Sequence, residues 1–235
     1  ISFLLMSIIS AQNYSLSFDG TNDKITISDS DELDPANYTI SAWVKHNSPT
    51  REWNGILSKQ PSTGSGYLMQ MNKSGGTYTI DCTIATGSAY KDAWCNSTSL
   101  SSSNYYFIVS TFDGSTIKTY INASNCKSVS YSGSNISNSN DLTIGWRTGG
   151  SEYFKGLIDE VGFWNEALTS AEITALYNSG ALIDATNNSG NYTSSSNLKG
   201  YWKFNEGSGT TAADASGNSN NGTISGATWS STTPD

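Results

Sequence analysis

The stretch Phe154-Lys-Gly-Leu-Ile-Asp-Glu-Val-Gly-Phe-Trp-Asn-Glu-Ala-Leu168, followed at once by Thr169-Ser-Ala-Glu-Ile173, decides the fold. Leu157, Ile158, Val161, Phe163 and Trp164 surround two acids, which is the composition of a buried strand. The strand runs straight into a helix start. Thr169 and Glu172 have capping-box spacing, in which each side chain satisfies the other residue's orphan backbone N–H. Ile173, Leu176 and Tyr177 then share one helical face, and Gly180 supplies a left-handed stop. Side chains alternate along a strand, so Asp159 is expected beside Leu157 and Val161, with Glu160 on the opposite face.

Upstream of this stretch, short alternating runs separated by turn signals recur about every 8–12 residues, the spacing of a sandwich or barrel. Tyr14-Ser-Leu-Ser-Phe18 alternates, and Asp19-Gly20 turns it into Lys24-Ile-Thr-Ile27. Further runs are Tyr38-Thr-Ile-Ser-Ala-Trp-Val44, Gly66-Tyr-Leu-Met-Gln-Met71, Tyr78-Thr-Ile-Asp-Cys-Thr-Ile84, Tyr105-Tyr-Phe-Ile-Val-Ser-Thr111 and Thr116-Ile-Lys-Thr-Tyr-Ile121. No segment before Thr169 carries helical periodicity. The chain reads as all-β with one short helix.

These motifs, in this order, resemble the laminin-G-like, concanavalin A-like jelly-roll family. Ser15-Leu-Ser-Phe-Asp-Gly-Thr-Asn-Asp23 is similar to its opening strand pair, and Tyr38-Thr-Ile-Ser-Ala-Trp-Val-Lys45 to a following strand. Tyr105 to Asn122 and Leu142 to Ile173 are similar to its later strands and its closing strand-plus-helix. The resemblance covers residues 14 to 180. It implies an antiparallel jelly-roll β-sandwich with one short helix near residues 170–179, and a protein that binds, adheres or builds. Related glucanases place their catalytic carboxylates at alternating positions on one strand face, close enough for retaining hydrolysis. Asp159, alone among apolar neighbours, does not supply both a nucleophile and an acid, so no glycosidase site is expected on this strand.

Residues 13–180 are read as the jelly roll, and 181–197, polar and rich in Gly, Asn and Ser, as a connecting loop. Residues 198–230 are read as a permuted strand pair completing the same sandwich, because the ends of a domain tend to lie close together; a truncated second repeat and a strand pair for a neighbour are the alternatives. Residues 1–12 are apolar, uncharged and too short to span a membrane as a helix. They suit either the remnant of a secretory signal, cut after Ala11, or a retained segment that completes a neighbour and drives self-assembly.

Composition narrows the function classes. The chain has 235 residues, with 14% charged and a net charge of −8, so clustered Lys and Arg for nucleic acid are lacking. The single histidine, His46, leaves no basis for a His-based metal site or a Ser–His or Cys–His pair. Cys82 and Cys95 flank a hairpin and are expected to pair in an oxidising compartment, with Cys126 left over; three isolated thiols are the alternative. Sequons at Asn37, Asn72, Asn96, Asn122, Asn135 and Asn191 point to an extracellular or cell-surface location.

Two kinds of site follow. Asp19, Asn22, Asp23 and Asp159 are hard oxygen donors on segments that the family brings near one another, which suits Ca²⁺; turn chemistry is the competing account. Trp53, Trp94, Trp146, Arg147 and Tyr153 lie at or near loops, where aromatic faces stack on sugar rings and Arg reads hydroxyls. Trp43, Trp164 and Trp202 sit within strands and are assigned to the core. The expected function is a non-catalytic extracellular surface protein that binds carbohydrate or another surface protein. A filament subunit assembled through residues 1–12 is the alternative, and a glycoside hydrolase ranks third.

Overall fold

A computed structural model describes residues 13–60, 65–86, 90–96, 99–131 and 137–234. The expectations for residues 1–12 and for the sequon at Asn135 lie outside the described residues. The strands are β1 (Ser15–Asp19), β2 (Lys24–Ile27), β3 (Tyr38–His46), β4 (Trp53–Ser58), β5 (Ser65–Ser74), β6 (Thr77–Thr86), β7 (Tyr90–Cys95) and β8 (Tyr106–Phe112). They continue with β9 (Thr116–Ile121), β10 (Ser124–Ser130), β11 (Leu142–Ile144), β12 (Lys155–Trp164), the helix α1 (Ser170–Tyr177), β13 (Leu198–Trp202), β14 (Thr211–Ala212), β15 (Gly222–Ser225) and β16 (Thr228–Ser230).

Among the described residues these strands form two eight-stranded antiparallel sheets. The first runs β10-β9-β8-β3-β12-β1-β16, with β13 also pairing with β12; the second runs β14-β15-β2-β11-β4-β5-β6-β7. Alternation puts Leu16, Ile40, Ile108 and Ile158 of the first sheet against Ile25, Ile56, Met69 and Ile80 of the second, all of them buried. A second apolar layer lies on the outer face of the first sheet, where Trp43, Phe107 and Trp164 meet Ile173 and Leu176 of α1. The fold is the antiparallel sandwich with one short helix that the sequence predicts.

The helix starts as expected. Thr169 Oγ1 accepts the Glu172 N–H at 3.3 Å, and Glu172 Oε2 accepts the Thr169 N–H at 3.0 Å. It stops earlier than expected: Asn178, at φ 44°, takes the left-handed position two residues before Gly180, a conformation that Asn tolerates better than most residues. The segment 181–197 is more than a polar connection. Tyr192 is fully buried, accepts the Trp164 indole N–H at 3.0 Å and donates to the Ala185 carbonyl at 2.8 Å.

The deciding strand departs from strict alternation. β12 carries a β-bulge against β3 between Asp159 and Gly162, and Glu160 has φ 48°. Ile158 and Val161 both face the inner core, so the two residues between them, Asp159 and Glu160, both turn outward. The bulge thus corrects the expected placement of Glu160 on the opposite face. It also divides one edge of β12, with β1 pairing to Lys155–Ile158 and β13 to Val161–Trp164. The C-terminal strands join both sheets, β15 beside β2 and β16 beside β1.

The disulfide expectation is corrected as well. The bond joins Cys95 to Cys126, with Cα atoms 5.6 Å apart, and staples the edge strand β7 of one sheet to the edge strand β10 of the other. Cys82 faces the inner core and is a free thiol, which burial pushes up to about 12. Of the expected sequons, Asn37, Asn96 and Asn191 are exposed and Asn122 is half-buried. Asn72 is 1% exposed within β5, so its side chain has no room for a glycan in the folded chain.

Candidate functional site

The outer face of the second sheet is where the alternation of β4 to β7 sends its polar residues. Met69, Met71, Ile80, Cys82, Ala93 and Cys95 point into the core. Their neighbours therefore point out: Leu68, Gln70 and Asn72 from β5, Thr79, Asp81 and Thr83 from β6, Asp92 and Trp94 from β7. The register sets them in rows. Gly55, Gln70, Asp81 and Trp94 lie side by side across four strands, and Leu68, Thr83 and Asp92 form the adjoining row.

These rows floor a cleft of about 320 Å³ lined by Trp53, Leu68, Gln70, Asp81, Thr83, Tyr90, Asp92 and Arg147. Arg147 arrives from the hairpin loop that follows β11. That loop lies directly on β4 because Gly55 has no side chain: the Gly55 N–H donates to the Glu152 carbonyl at 3.0 Å, and Gly55 bridges to Tyr153. Trp53 and Trp94 are half-buried with ring centroids 6.3 Å apart, and the Trp94 indole N–H is held by Thr79 Oγ1 at 2.8 Å. Trp146 and Tyr153 stack on each other at 5.7 Å at the foot of the same loop, with the Lys24 ammonium 4.4 Å over the Trp146 ring. The structure thus brings Trp53 and Arg147 to one cleft, sets Trp94 beside it in register with Asp81, and leaves Trp146 and Tyr153 packed mainly on each other.

The floor is electrostatically tense. Asp81 is 3% exposed, and its Oδ2 accepts from Gln70 Nε2 at 3.1 Å. Thr83 Oγ1 lies 3.1 Å from Asp81 Oδ2 and 3.0 Å from Asp92 Oδ1, although a hydroxyl has only one proton to give. Burial, reinforced by the charge of Asp92, pushes the Asp81 carboxyl up to about 6, against the lowering effect of Gln70, Thr83 and Arg147. Asp81 Oδ1, Gln70 Oε1 and Asn72 Oδ1 are buried without a hydrogen-bond partner. Such atoms are uncommon in folded proteins; Asp81 and Gln70 belong to the cleft lining, as does Arg147, whose Nε is likewise buried without a partner, whereas Asn72 lies outside it.

The expected calcium set does not assemble. Asp19, Asn22 and Asp23 form the turn after β1, where Asp19 Oδ1 accepts the Thr21 N–H at 2.7 Å and Asp23 Oδ2 the Asp19 N–H at 2.8 Å. Asp19 pairs with Lys155, so Asp159 lies four residues farther along the ladder, about 13 Å away at 3.3 Å per residue. Among the described residues no group of three or more His, Cys, Asp or Glu is placed to hold a metal ion. Asp159 and Glu160 instead form a buried pair beneath the outer layer. Burial and the neighbouring Glu160 push the Asp159 carboxyl up to about 9, and burial raises Glu160 to about 7 although it accepts the Tyr201 hydroxyl. Glu160 borders a space of about 20 Å³ beneath the outer layer and also a surface cleft of about 240 Å³ shared with Asp184 and Lys203, whereas Asp159 lines neither.

Sequence reasoning missed Gln70, Asp81, Thr83, Tyr90 and Asp92. The alternation in Tyr78-Thr-Ile-Asp-Cys-Thr-Ile84 puts Asp81 on a strand face, and only the register with β5 and β7 makes that face a cleft. A larger cavity, about 610 Å³, lies elsewhere, on the outer face of the first sheet between Trp43, Lys45, Tyr105 and Tyr177.

Comparison with known proteins bears on the fold. Residues 19–174 match the profile of the concanavalin A-like lectin/glucanases superfamily. A candidate carbohydrate-binding protein from Bacteroides ovatus ATCC 8483 superposes with a TM-score of 0.71 at 17% identity, over 96% of this chain and 62% of its own length. Domain 4 of AbnA, an extracellular arabinanase from Geobacillus stearothermophilus solved with arabinotriose, gives 0.56 at 20% identity over 69% of this chain and 76% of its own. The heptameric SAP-like pentraxin of Limulus polyphemus gives 0.54 at 19% identity over 72% and 83%. No curated protein matches the chain by sequence. At these identities the structural likeness establishes the fold.

Proposed function

Because the chain belongs to the concanavalin A-like lectin/glucanases superfamily, we propose that it is a non-catalytic, extracellular carbohydrate-binding module whose ligand lies in the cleft on the outer face of β4 to β7. One observation carries this reading: half-buried Trp53 and Trp94 flank a floor of buried oxygen atoms that have no donors. Aromatic faces cover the apolar faces of a pyranose, and hydroxyls supply the donors that Asp81 and Gln70 lack. Arg147, held at the rim by the loop on Gly55, reads ring or hydroxyl oxygens from the side. The extracellular assignment is supported by the Cys95–Cys126 bond, since such bonds persist in oxidising compartments.

A glycan array tests the proposal. The whole chain is expected to bind a defined class of oligosaccharide, and Trp53→Ala and Trp94→Ala are each expected to weaken that binding about tenfold, the equivalent of about 1.4 kcal/mol. An array without signal, or binding that survives both substitutions in folded protein, contradicts the assignment.

A further inference from the structure

We propose that the cleft selects a glycan bearing a free, protonated amine over its neutral counterpart, because its floor presents two carboxylates and buried acceptors between aromatic side chains. The inference rests on the carbohydrate reading and narrows it to one ligand chemistry. Asp92 projects from β7 between Tyr90 and Trp94, the residues two positions away on the same face, at a spacing of about 7 Å to either side. Asp81 stands on the adjacent strand, joined to Asp92 through the Thr83 hydroxyl.

The unpartnered atoms of the floor are acceptors, and the unpartnered donor, Arg147 Nε, sits at the rim. Asp81 Oδ1 and Gln70 Oε1 are acceptors, in residues 3% and 5% exposed. An ammonium brings three donors and a positive charge to one point, whereas each sugar hydroxyl brings a single donor. The local charge agrees. Arg147 lies 3.9 Å from Glu152 and also faces Asp81, so the cleft lining, with Asp81 and Asp92 ionised against one guanidinium, stays negative. Ca²⁺ suits the site less well, since it takes six to eight oxygens and gains nothing from aromatic neighbours, while an ammonium is attracted by ring faces.

The shared hydroxyl makes the selection depend on pH. Asp92, Gln70, Tyr90 and Arg147 face Asp81 across the cleft. While Asp81 keeps its proton, it donates to Thr83, which donates to Asp92, and the floor carries one negative charge. Above about pH 6 Asp81 ionises and the floor carries two. The preference for an amine therefore grows as pH rises through about 6, until the ligand's own amine loses its proton.

Isothermal titration calorimetry of the whole chain with a glucosamine trisaccharide, its N-acetylated form and a glucose trisaccharide tests this, at pH 5 and pH 7. The free amine is expected to bind about tenfold more tightly than either neutral form at pH 7, with a smaller ratio at pH 5. Asp92→Asn, at an exposed position, and Asp81→Asn, nearly isosteric, are each expected to bring the ratio close to one. Equal affinity for all three sugars in the unaltered chain, or a ratio that persists in Asp92→Asn, overturns the inference and leaves the carbohydrate reading standing. Binding that vanishes on adding chelator overturns it in favour of a metal. Failure of every sugar here and on the array removes both.

Discussion

Replacing Gly55 by alanine tests how the cleft is built. A Cβ at this position would stand 2.5 Å from the Arg147 amide nitrogen, 2.8 Å from the Trp146 carbonyl carbon and 3.1 Å from the Glu152 carbonyl oxygen. All three are backbone atoms, so no rotamer change relieves the contact, and the loop carrying Arg147 must lift away from β4. Two hydrogen bonds hold it there, Gly55 N–H to Glu152 O at 3.0 Å and Gly145 N–H to Ile56 O at 2.8 Å. Each contributes about 1 kcal/mol, and forcing a methyl into packed surroundings costs about 1–3 kcal/mol. Alanine recovers about 0.5–1 kcal/mol in the unfolded chain. The net loss comes to about 2–4 kcal/mol. Urea unfolding followed by tryptophan fluorescence measures it, and Arg147 should leave the cleft, weakening the ligand. A variant within about 0.5 kcal/mol of the unaltered chain, with unchanged affinity, refutes the account of how the loop is seated.

The disulfide closes a 31-residue separation, so Cys126→Ser is expected to cost about 3–4 kcal/mol by the chain-entropy relation. In the unaltered protein a thiol reagent should label Cys82 alone, and only after unfolding; labelling of Cys126 contradicts the pairing. For Asp159 the folded-state carboxyl sits near 9 against an ordinary 3.8, so the folded chain keeps a proton that the unfolded chain gives up as pH rises between those values. Stability therefore falls as pH rises through that window, with Glu160 adding in the same sense at its lower end. Asp159→Asn should flatten the slope of melting temperature against pH and raise the midpoint at pH 8; an unchanged slope argues against a buried carboxyl. Thr169→Ala removes the bonds of the Thr169 hydroxyl, from the Glu172 N–H and to Glu172 Oε2, while the Thr169 N–H keeps its own bond to that carboxylate; it should lower stability by about 1 kcal/mol in a thermal melt, and no change would mean that the hydroxyl contributes nothing to holding α1.

The sandwich was legible because its signals are local. The capping box at Thr169 and Glu172, the alternation of β1, β3 and β8, and the Asp19-Gly20 turn each follow from neighbouring residues. What failed depended on distant partners or on one broken repeat. The bulge at Glu160 shifts the faces of β12 by one residue, and nothing in Ile-Asp-Glu-Val announces it. The bond from Cys95 goes to Cys126 because β7 and β10 are the facing edges of two sheets, a fact of topology rather than of spacing. Tyr192 lay in a stretch dominated by Asn, Ser and Gly, where one aromatic residue gave little warning of a buried anchor. At the cleft, Trp53, Trp94 and Arg147 were found by residue type, whereas Gln70, Asp81 and Asp92 required the strand register to bring them together.

The central claim is the location of the ligand, and an isotope-edited NMR titration tests it most directly. The seven tryptophans give seven indole signals, spread over both outer faces and the core. Titrating the sugar that binds best on the array should move the Trp53 and Trp94 indoles and the Gln70 side-chain amide, and leave the Trp43 indole in place. Shifts centred on Trp43 and the backbone amides of Lys45 and Tyr105, in the larger groove of the opposite sheet, would contradict the account.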